Sequence, residues 1–324
     1  MPSFPESHSH SIPAAWQGRR LDKALVELDP ETSRSRLQAL VKAGEISIDG
    51  EVVIRPGTTL EGGETVAWTV PEVPPSQDSG GGIIKDIPII YEDESICVVN
   101  KPAGLLSHRN NVGQAYAVPD WVEAKLGPLP VADQPLRPGV VHRLDRGTSG
   151  VMVLARTLEA MQSLIESFAA RTVQKRYVAI CYGSPRFDSE WIEAPIERDP
   201  RSPDRRRIAS DGQGKAAATM IEVVKRFGTA AALCDAKPKT GRTHQLRVHL
   251  TSRGLPIIGD KTYKHRGTLP EPLPEGIRLP LRPALHAAEL AFTHPTTGEQ
   301  VSFEAPLPQE MENLLADLYA HYGA

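Results

Sequence analysis

A break in the hydrophobic pattern at residues 71–82 most constrains how this chain can fold. The segment PEVPPSQDSGGG has no apolar periodicity and is dense in Pro, Gly and Ser, which is typical of a linker that is part stiff and part flexible. It divides the 324 residues into a predicted small domain at 18–70 and a larger one at 83–324. The polar segment 1–17 lacks the apolar core of a signal peptide and is predicted to be a disordered arm.

Charge and composition restrict the function classes. Lys and Arg total 37 and Asp and Glu total 40, so the formal net charge is −3. A surface that binds polyanions everywhere is therefore excluded, whereas a local basic groove remains open. Hydrophobic residues make up 40% of the chain, which favours a folded protein over a disordered one. No stretch approaches 18 consecutive apolar residues, so neither a membrane-spanning helix nor a membrane partner is predicted.

The cysteines and histidines point to no metal or disulfide chemistry. Cys97, Cys181 and Cys234 are odd in number, far apart and without a C-x-x-C spacing, which argues against a disulfide framework or a zinc cluster. This usage predicts a reduced, cytoplasmic chain. The ten histidines show no H-E-x-x-H spacing, so no metal site is predicted.

The segment 18–70 predicts a small α/β unit of two short helices followed by strands. Apolar residues at the i, i+3, i+4, i+7 spacing of one helix face predict the first helix: Leu21, Ala24, Leu25 and Leu28. Ser33 can cap a second helix, and Gly44 would end it. The dipeptide Asp49-Gly50 then predicts the turn of a β-hairpin.

Three cations, Arg34, Arg36 and Lys42, occupy polar positions of that second helix. Taken alone, they are what a solvated helix face contains. The ordered segments GRRLDKAL, SRSRLQALVKAG and ISIDG, however, resemble the S-four-like RNA-binding domain, which is named for a small-subunit ribosomal protein. The resemblance spans Gly18 to about Val70 and implies that the three cations contact RNA.

The larger domain is predicted to be α+β with a mixed, mostly antiparallel sheet, because many short apolar strands alternate with few helices. The strand candidates cover 87–91, 96–100, 151–155, 177–181, 217–224 and 231–236, with a hairpin of 286–292 and 301–304. Helices are predicted at 158–170, from a cap at Thr243 to Gly254, and around Met311–Leu318.

The densest charged segment is RPGVVHRLDRGTSGVMVLAR at 137–156. Two valines lead into His142-Arg143-Leu144-Asp145, and a Gly-Thr-Ser-Gly turn then opens an apolar strand. Charged residues held between two apolar segments are expected at a cleft. On spacing alone, Asp145 has two interpretations, a turn-capping residue or a catalytic carboxylate, and the first is the commoner.

Several ordered motifs together resemble the RluA family of RNA pseudouridine synthases. The segment HRLDRGTSG at 142–150 is similar to the family signature, and it is flanked in the family's order by NKPAG, KRYVA, TGRTHQLRVHL and LHA. The resemblance covers about residues 83–306, and a preceding S-four-like domain is a common partner in this family. It implies a pseudouridine synthase catalytic domain.

The resemblance also implies roles for individual residues. Asp145 would be the catalytic aspartate, acting on the ribose as a nucleophile or a base. Arg247 would be the cation that keeps Asp145 ionised, and Tyr177 would stack on the target uracil. Arg143 would enter the RNA stack and help to extrude the base. His142 is expected either to contact the phosphate or sugar or to be a satisfied structural histidine.

The implied reaction is an isomerisation of uridine within RNA. The glycosidic C–N bond breaks, the uracil turns over, and the ribose carbon bonds to carbon 5 of the base. No group is gained or lost, so no cofactor is expected. The expected substrate is structured ribosomal RNA, with transfer RNA also open, and the chain is expected to be a monomer.

Two further basic segments extend the predicted RNA surface. Lys237 and Lys239 lie just before the motif TGRTHQLRVHL at 240–250, and Arg242 lies within it. The segment 198–207, interpreted as a Pro-rich loop, holds five arginines and two aspartates. Because the chain as a whole is acidic, such local concentrations of positive charge favour RNA contact over simple solubilisation.

Two other classes of protein fit parts of the sequence. A non-catalytic RNA-binding or ribosome-assembly factor could share the fold, but it would not need Asp145, Tyr177 and Arg247 all intact. A glycosidase or hydrolase would need two carboxylates flanking one bond, and Asp145 has no partner of equal quality in the sequence.

Overall fold

The computed structural model describes residues 6–29, 34–70, 86–109, 116–132, 136–210, 213–264 and 272–323. These residues divide into two compact units. The smaller unit is built on 6–29 and 34–70, together with the described residues of 109–116 and 131–138, and the larger unit takes the rest. Within these ranges, no helix has both the length and the apolar character needed to cross a membrane. The predicted linker and Ser33 lie outside the described residues.

The smaller unit consists of two helices and a four-stranded antiparallel sheet. Its elements are β1 (Glu6–Ser11), α1 (Leu21–Leu28), α2 (Arg34–Ala43), β2 (Ile46–Ile48), β3 (Glu51–Val52) and β4 (Thr65–Val70). The strand order is β1-β4-β2-β3, and Asp49-Gly50 turns β2 into β3 as predicted. The predicted apolar face of α1 and the apolar residues of α2 are buried, with Leu21, Leu25, Leu37 and Val41 all fully inaccessible to solvent.

The N-terminal segment is not a disordered arm over its described part, so that prediction was wrong. Strand β1 pairs antiparallel with β4, from Glu6 opposite Val70 to Ser11 opposite Thr65. The rings of His8 and His10 stack on Trp68, with centroids 5.0 and 5.3 Å apart. A polar strand of this kind has no hydrophobic signal of its own, because its stability comes from backbone hydrogen bonds to β4 and from this stacking.

The larger unit is α+β. Its first elements are β5 (Ile89–Glu92), β6 (Ile96–Lys101), α3 (Val118–Leu126), β7 (Ser149–Ala155), α4 (Leu158–Ala170), β8 (Gln174–Tyr182), β9 (Ser189–Glu193), β10 (Ile196–Asp199) and β11 (Ser202–Ile208). They are followed by β12 (Ala218–Phe227), β13 (Ala231–Pro238), α5 (Gln245–Ser252), β14 (Leu285–Thr293), β15 (Gln300–Glu304) and α6 (Gln309–Tyr322).

A nine-stranded sheet organises this unit. Its order is β5-β6-β7-β14-β8-β13-β12-β9, and β15 pairs with β14. The pair β7–β14 is parallel, and the other pairs in the sheet are antiparallel. The mixed, mostly antiparallel sheet predicted from the sequence is therefore confirmed.

Two apolar clusters support the sheet. One joins β8, β12 and β13 to Leu246 and Leu250 of α5 and to Met311, Leu314 and Leu318 of α6. The other joins β6 and β7 to Ala160, Met161 and Leu164 of α4. The central strand β7 is buried along its whole length, as its run of apolar residues predicts.

Two local predictions were wrong. The segment 198–207 is not a loop, because β10 and β11 pair there as an antiparallel hairpin, with Glu197 opposite Arg207. That pairing includes an ion pair at 2.7 Å, a cross-strand contact that composition does not reveal. Helix α5 begins at Gln245 rather than at a Thr243 cap, because His244 takes a left-handed conformation with φ of 58° just before it.

Candidate active site

A cavity of about 410 Å³ in the larger unit contains the signature motif. Its walls come from the loop before β7, the start of β8 and the segment that leads from β13 into α5. Seven residues predicted from the sequence line it together: His142, Arg143, Asp145, Tyr177, Lys239, Arg242 and Arg247. Segments that are distant in the chain meet here because β7 and β8 both pair with β14.

Asp145 lies in the turn that leads into β7. The hydrogen bond of the turn runs from the Thr148 amide to the main-chain carbonyl of Asp145, at 2.9 Å. The side chain of Asp145 takes no part in this turn hydrogen bond and is directed to Arg247, with Asp145 Oδ2 3.5 Å from Arg247 Nη1. The exposed fractions of the two side chains are 20% and 10%. The carboxylate is therefore accessible from the cavity while a nearly buried guanidinium stabilises its charge.

A second carboxylate holds Arg247 in place. The guanidinium donates from Nε and Nη2 to the two oxygens of Asp260, at 2.6 and 2.9 Å. Burial works against the charged form of Arg247, but these hydrogen bonds and the charges of Asp260 and Asp145 outweigh it and raise its pKa. The same contacts lower the pKa of Asp260 against the effect of burial. The bidentate pair therefore stays ionised and fixes the orientation of the arginine.

The main chain around Asp260 explains its position. Its Oδ1 atom also accepts hydrogen bonds from the amides of Thr262 and Tyr263, at 2.8 and 3.1 Å. The preceding Gly259 has a φ of 81°, and a Cβ at that position would collide with the carbonyl of Arg282. The sequence Gly-Asp after α5 is thus a local requirement for presenting a carboxylate to Arg247.

His244 and Tyr263 complete the surroundings of Asp145. His244 Nε2 lies 4.0 Å from Asp145 Oδ2, and its Nδ1 is hydrogen bonded to the Tyr263 hydroxyl at 2.8 Å. The guanidinium of Arg247 lies 4.8 Å from the Tyr263 ring centroid. Burial lowers the pKa of His244, only partly offset by the charge of Asp145, so the imidazole is neutral at neutral pH.

Tyr177 extends the cavity wall from β8. Its side chain is half-buried in the cavity lining. Burial, and then the negative charge of Asp145, raise the pKa of its phenol far above the ordinary value. The hydroxyl therefore stays protonated and can donate a hydrogen bond, but it cannot serve as a base at neutral pH.

His142 makes contacts within the protein. Its Nε2 accepts a hydrogen bond from the Val153 amide at 3.0 Å, and its ring stacks on Phe168 with centroids 4.7 Å apart. Burial, and the nearby charge of Lys175, lower its pKa to about 3. Neutral His142 is therefore part of the cavity wall, and its contact with the phosphate or sugar stays a prediction.

The other predicted RNA-contacting residues fall into two places. Arg143 is exposed at the cavity, and Arg242 is half-buried there, with its Nε donating to the Ala216 carbonyl at 3.1 Å. Lys42 is exposed in the last turn of α2, in the smaller unit. Arg34 and Arg36 belong to the same helix, but their side chains lie outside what the structure describes.

Sequence reasoning assigned no role to Asp260, His244 or Tyr263. For Asp260 a signal was available, since an arginine predicted beside a catalytic carboxylate on a helix that packs into the core needs a partner of its own. His244 and Tyr263 come together because of how α5 packs, which the spacing of residues along the sequence does not show.

A partly buried network of hydrogen bonds supports the turn after Asp145. Arg282 donates to the carbonyl of Gly147 at 3.1 Å and to the Ser149 hydroxyl at 3.1 Å. Glu310 of α6 accepts from the same guanidinium at 2.9 and 2.5 Å. Ser149 in turn is hydrogen bonded to Nδ1 of the fully buried His286 at 2.9 Å. Helix α6 therefore helps to position the turn that carries Asp145.

Lys101 lies fully buried at the end of β6, close to this turn. Its Nζ donates to the carbonyls of Pro102 and Leu105 at 2.9 and 2.8 Å. Burial, and then repulsion from Arg282, lower its pKa to about 7, although the charge of Asp145 acts in the opposite direction. A lysine with a pKa near neutrality thus lies opposite Gly150, at the end of the turn that carries Asp145.

Comparison with known proteins agrees with this geometry. The sequence matches the family model of RNA pseudouridylate synthases over residues 95–252 and the S4 domain model over residues 19–66. It is 40% identical to the ribosomal large subunit pseudouridine synthase D of Xanthomonas campestris pv. campestris, across 95% of this chain and 91% of that protein. A protein of the same name from Neisseria meningitidis serogroup B is 37% identical, across 97% of this chain and 82% of that protein.

A solved structure shows the same likeness. The human RNA pseudouridylate synthase domain containing 4 protein superposes with a TM-score of 0.56 at 28% identity, covering 71% of this chain and 92% of that chain. The resemblance seen in the motifs is therefore confirmed, and the two competing classes, a pure RNA binder and a glycosidase, are set aside. The chain belongs to the RNA pseudouridylate synthase family with an S4 RNA-binding domain, and it isomerises uridine in RNA to pseudouridine.

Proposed function

We propose that the substrate is large-subunit ribosomal RNA and that Asp145 is the catalytic aspartate. One observation supports the second part above all others. Asp145 presents a carboxylate to the cavity, 3.5 Å from an arginine that is itself fixed by Asp260. The ribosomal substrate is suggested by the names of the relatives in Xanthomonas and Neisseria.

The proposed mechanism uses the ionised carboxylate of Asp145 on the ribose of a flipped uridine. The bond from the ribose C1′ to N1 of uracil breaks, the base rotates, and C1′ bonds to C5. The proton leaves C5 and N1 gains one, so atoms and charge balance without a co-reactant. Arg247 attracts the carboxylate and fixes its direction throughout, since its own position is set by Asp260.

The cavity suits a single extruded nucleoside. Its volume of about 410 Å³ lies in the usual range of small-molecule pockets, roughly 300–1,000 Å³. Tyr177 provides the aromatic face on which the uracil stacks and a hydroxyl that donates a hydrogen bond. Arg143, exposed at the cavity, occupies the space that the extruded base leaves in the RNA stack.

The smaller unit is proposed to dock the RNA through α2, with Lys42, Arg34 and Arg36 contacting phosphates. We propose domain boundaries at 18–70 and 83–324, with 71–82 as the linker. The chain is further proposed to act as a monomer in the cytoplasm, where its ribosomal substrate would be found.

Pseudouridine mapping of total RNA tests the substrate and the catalytic residue together. Carbodiimide-adduct primer extension would compare cells with and without the gene, complemented by the wild type or by Asp145→Asn. We expect sites in large-subunit RNA to disappear on deletion and to return only with the wild type. Lost sites confined to transfer RNA would overturn the ribosomal assignment, and rescue by Asp145→Asn would overturn the catalytic one.

A further inference from the structure

A second cavity, of about 580 Å³, lies beside the β10–β11 hairpin. Strand β11 forms one wall, and the end of α5 with the residues that follow it forms another. Tyr263 lines this second cavity and also contacts His244 and Arg247 of the active site. We call it the basic cavity, and nothing in the reaction described so far uses it.

Positive charge dominates the walls of the basic cavity. Five cations line it against the single carboxylate of Asp199: Arg201, Arg205, Arg206, Arg207 and Lys264. The chain as a whole has a net charge of −3, so this concentration is a local excess. Of these cations, Arg207 is paired with Glu197 at 2.7 Å. A local field of this sign attracts a polyanion.

Two polar atoms in these walls lack hydrogen-bond partners among the described residues. They are Nε of Arg205 and Oγ1 of Thr251, both shielded from bulk solvent. Buried polar groups without partners are rare and costly. An anion that enters between the hairpin and α5 would offer acceptor oxygens to this arginine, whose guanidinium suits phosphate geometry.

The basic cavity is connected to Asp145 by a short chain of contacts. The Arg206 amide donates to the Tyr263 hydroxyl at 2.8 Å, so that hydroxyl can donate its own proton to His244 Nδ1, also at 2.8 Å. The pKa of Tyr263 is raised by burial and that of His244 is lowered by burial, so both are neutral. The proton of His244 is then on Nε2, which lies 4.0 Å from Asp145 Oδ2.

We propose that the basic cavity binds a backbone phosphate of the RNA next to the flipped uridine, and that Tyr263 and His244 align Asp145 when the hairpin is held by that phosphate. This inference rests on the RNA isomerase activity, because only a nucleic-acid substrate places phosphates beside the base that reacts. Arg201 and Arg205 bind the phosphate. Tyr263 is a positioning residue, since it acts on Asp145 through His244 and Arg247 and not by direct contact.

The binding part is tested with the double variant Arg201→Gln, Arg205→Gln. The matched control is Arg186→Gln, Lys125→Gln, which removes two exposed cations that line neither cavity. Affinity for a large-subunit RNA transcript would be measured over a range of KCl concentrations. We expect the slope of log affinity against log salt to fall by about 0.7–0.9 for each lost phosphate contact. The control should keep the wild-type slope.

A wild-type slope in the arginine variant would overturn the proposal, as would an equal loss in the control. Wild-type isomerisation of the same transcript is measured in parallel. If the wild type is inactive, the substrate assignment fails. If it is active and the slopes are equal, only the basic cavity fails.

The positioning part is tested with Tyr263→Phe, which keeps the ring and removes the hydroxyl link. We expect kcat to fall about tenfold while KM and the salt slope stay within twofold of the wild type, because the walls that bind phosphate are retained. Circular dichroism would confirm that the variant is folded at the assay temperature. A kcat within twofold of the wild type would show that the link does not position Asp145.

Discussion

The Nη1 atom of Arg247 lies 3.5 Å from Oδ2 of Asp145, while Nε and Nη2 of the same guanidinium donate hydrogen bonds to Asp260. One planar group therefore joins the turn that carries Asp145 to the segment after α5. The geometry needs an arginine, because a lysine ammonium is a single point of charge and cannot hold both carboxylates in fixed directions. Asp260 thus holds Arg247 in place before any substrate enters.

Asp145→Asn is expected to remove activity and preserve RNA binding. The amide cannot act as a nucleophile or base on the ribose, so we expect kcat to fall by at least about 10³-fold. Product formation on a uridine-containing transcript and equilibrium RNA affinity would be measured together. Asp86→Asn, which changes an exposed carboxylate at the start of the larger unit, serves as the control. Activity in Asp145→Asn near that of the control would contradict the assignment.

Arg247→Lys and Asp260→Asn are expected to act as one unit. Each single change releases the guanidinium or ammonium from its fixed position, and a misplacement of about 1 Å can cost about 100-fold in rate. The double variant should therefore be little worse than either single variant, because the second change removes an interaction that is already lost. Measured kcat values that multiply independently would show that Asp260 does not act through Arg247.

Lys101 is expected to give stability a measurable pH dependence. Its pKa is about 7 in the folded protein, against an ordinary value of 10.5. Between these values the unfolded chain binds more protons, so the free energy of unfolding rises with pH, by up to about 1.4 kcal/mol per pH unit. The measurement is urea unfolding of the wild type and of Lys101→Met from pH 6 to 9. We expect the wild type to show this slope above pH 7 and Lys101→Met to lack it.

Lys101→Met also leaves the Pro102 and Leu105 carbonyls without their donor, but that loss is a constant offset. Only titration of the lysine changes the difference between the two proteins with pH. Lys125→Met, at an exposed position, should run parallel to the wild type. Parallel curves for Lys101→Met as well would mean that this lysine keeps its charge across the range.

Gly150→Ala is expected to destabilise the larger unit strongly. Gly150 has a φ of 118°, and a Cβ there would collide with the carbonyl of Ala287, where β7 runs beside β14. Gly127 has a φ of 90° but open space around it, so Gly127→Ala isolates the backbone strain at about 1–3 kcal/mol. The midpoint of urea unfolding should fall clearly further for Gly150→Ala, and equal shifts would contradict the steric argument.

Local features of this protein were readable from its sequence. Helix α4 spans Leu158–Ala170, the range that its apolar spacing predicts, because a helix face is set by residues three and four apart. The turn at Asp49-Gly50 follows in the same way from the residues that form it. The ordered motifs identified the family, and with it the roles proposed for Asp145, Tyr177 and Arg247.

Tertiary structure decided the relationships between distant segments. Strand β1 pairs with β4, whose edge is available but lies about 60 residues further along the chain. The polar segment ESHSHS has no periodicity from which this pairing could be predicted. The bidentate contact of Arg247 with Asp260, and the path from the β10–β11 hairpin through Tyr263 to His244, likewise depend on where α5 packs. Spacing along the chain determines which residues share a face, whereas packing across the sheet determines which faces meet.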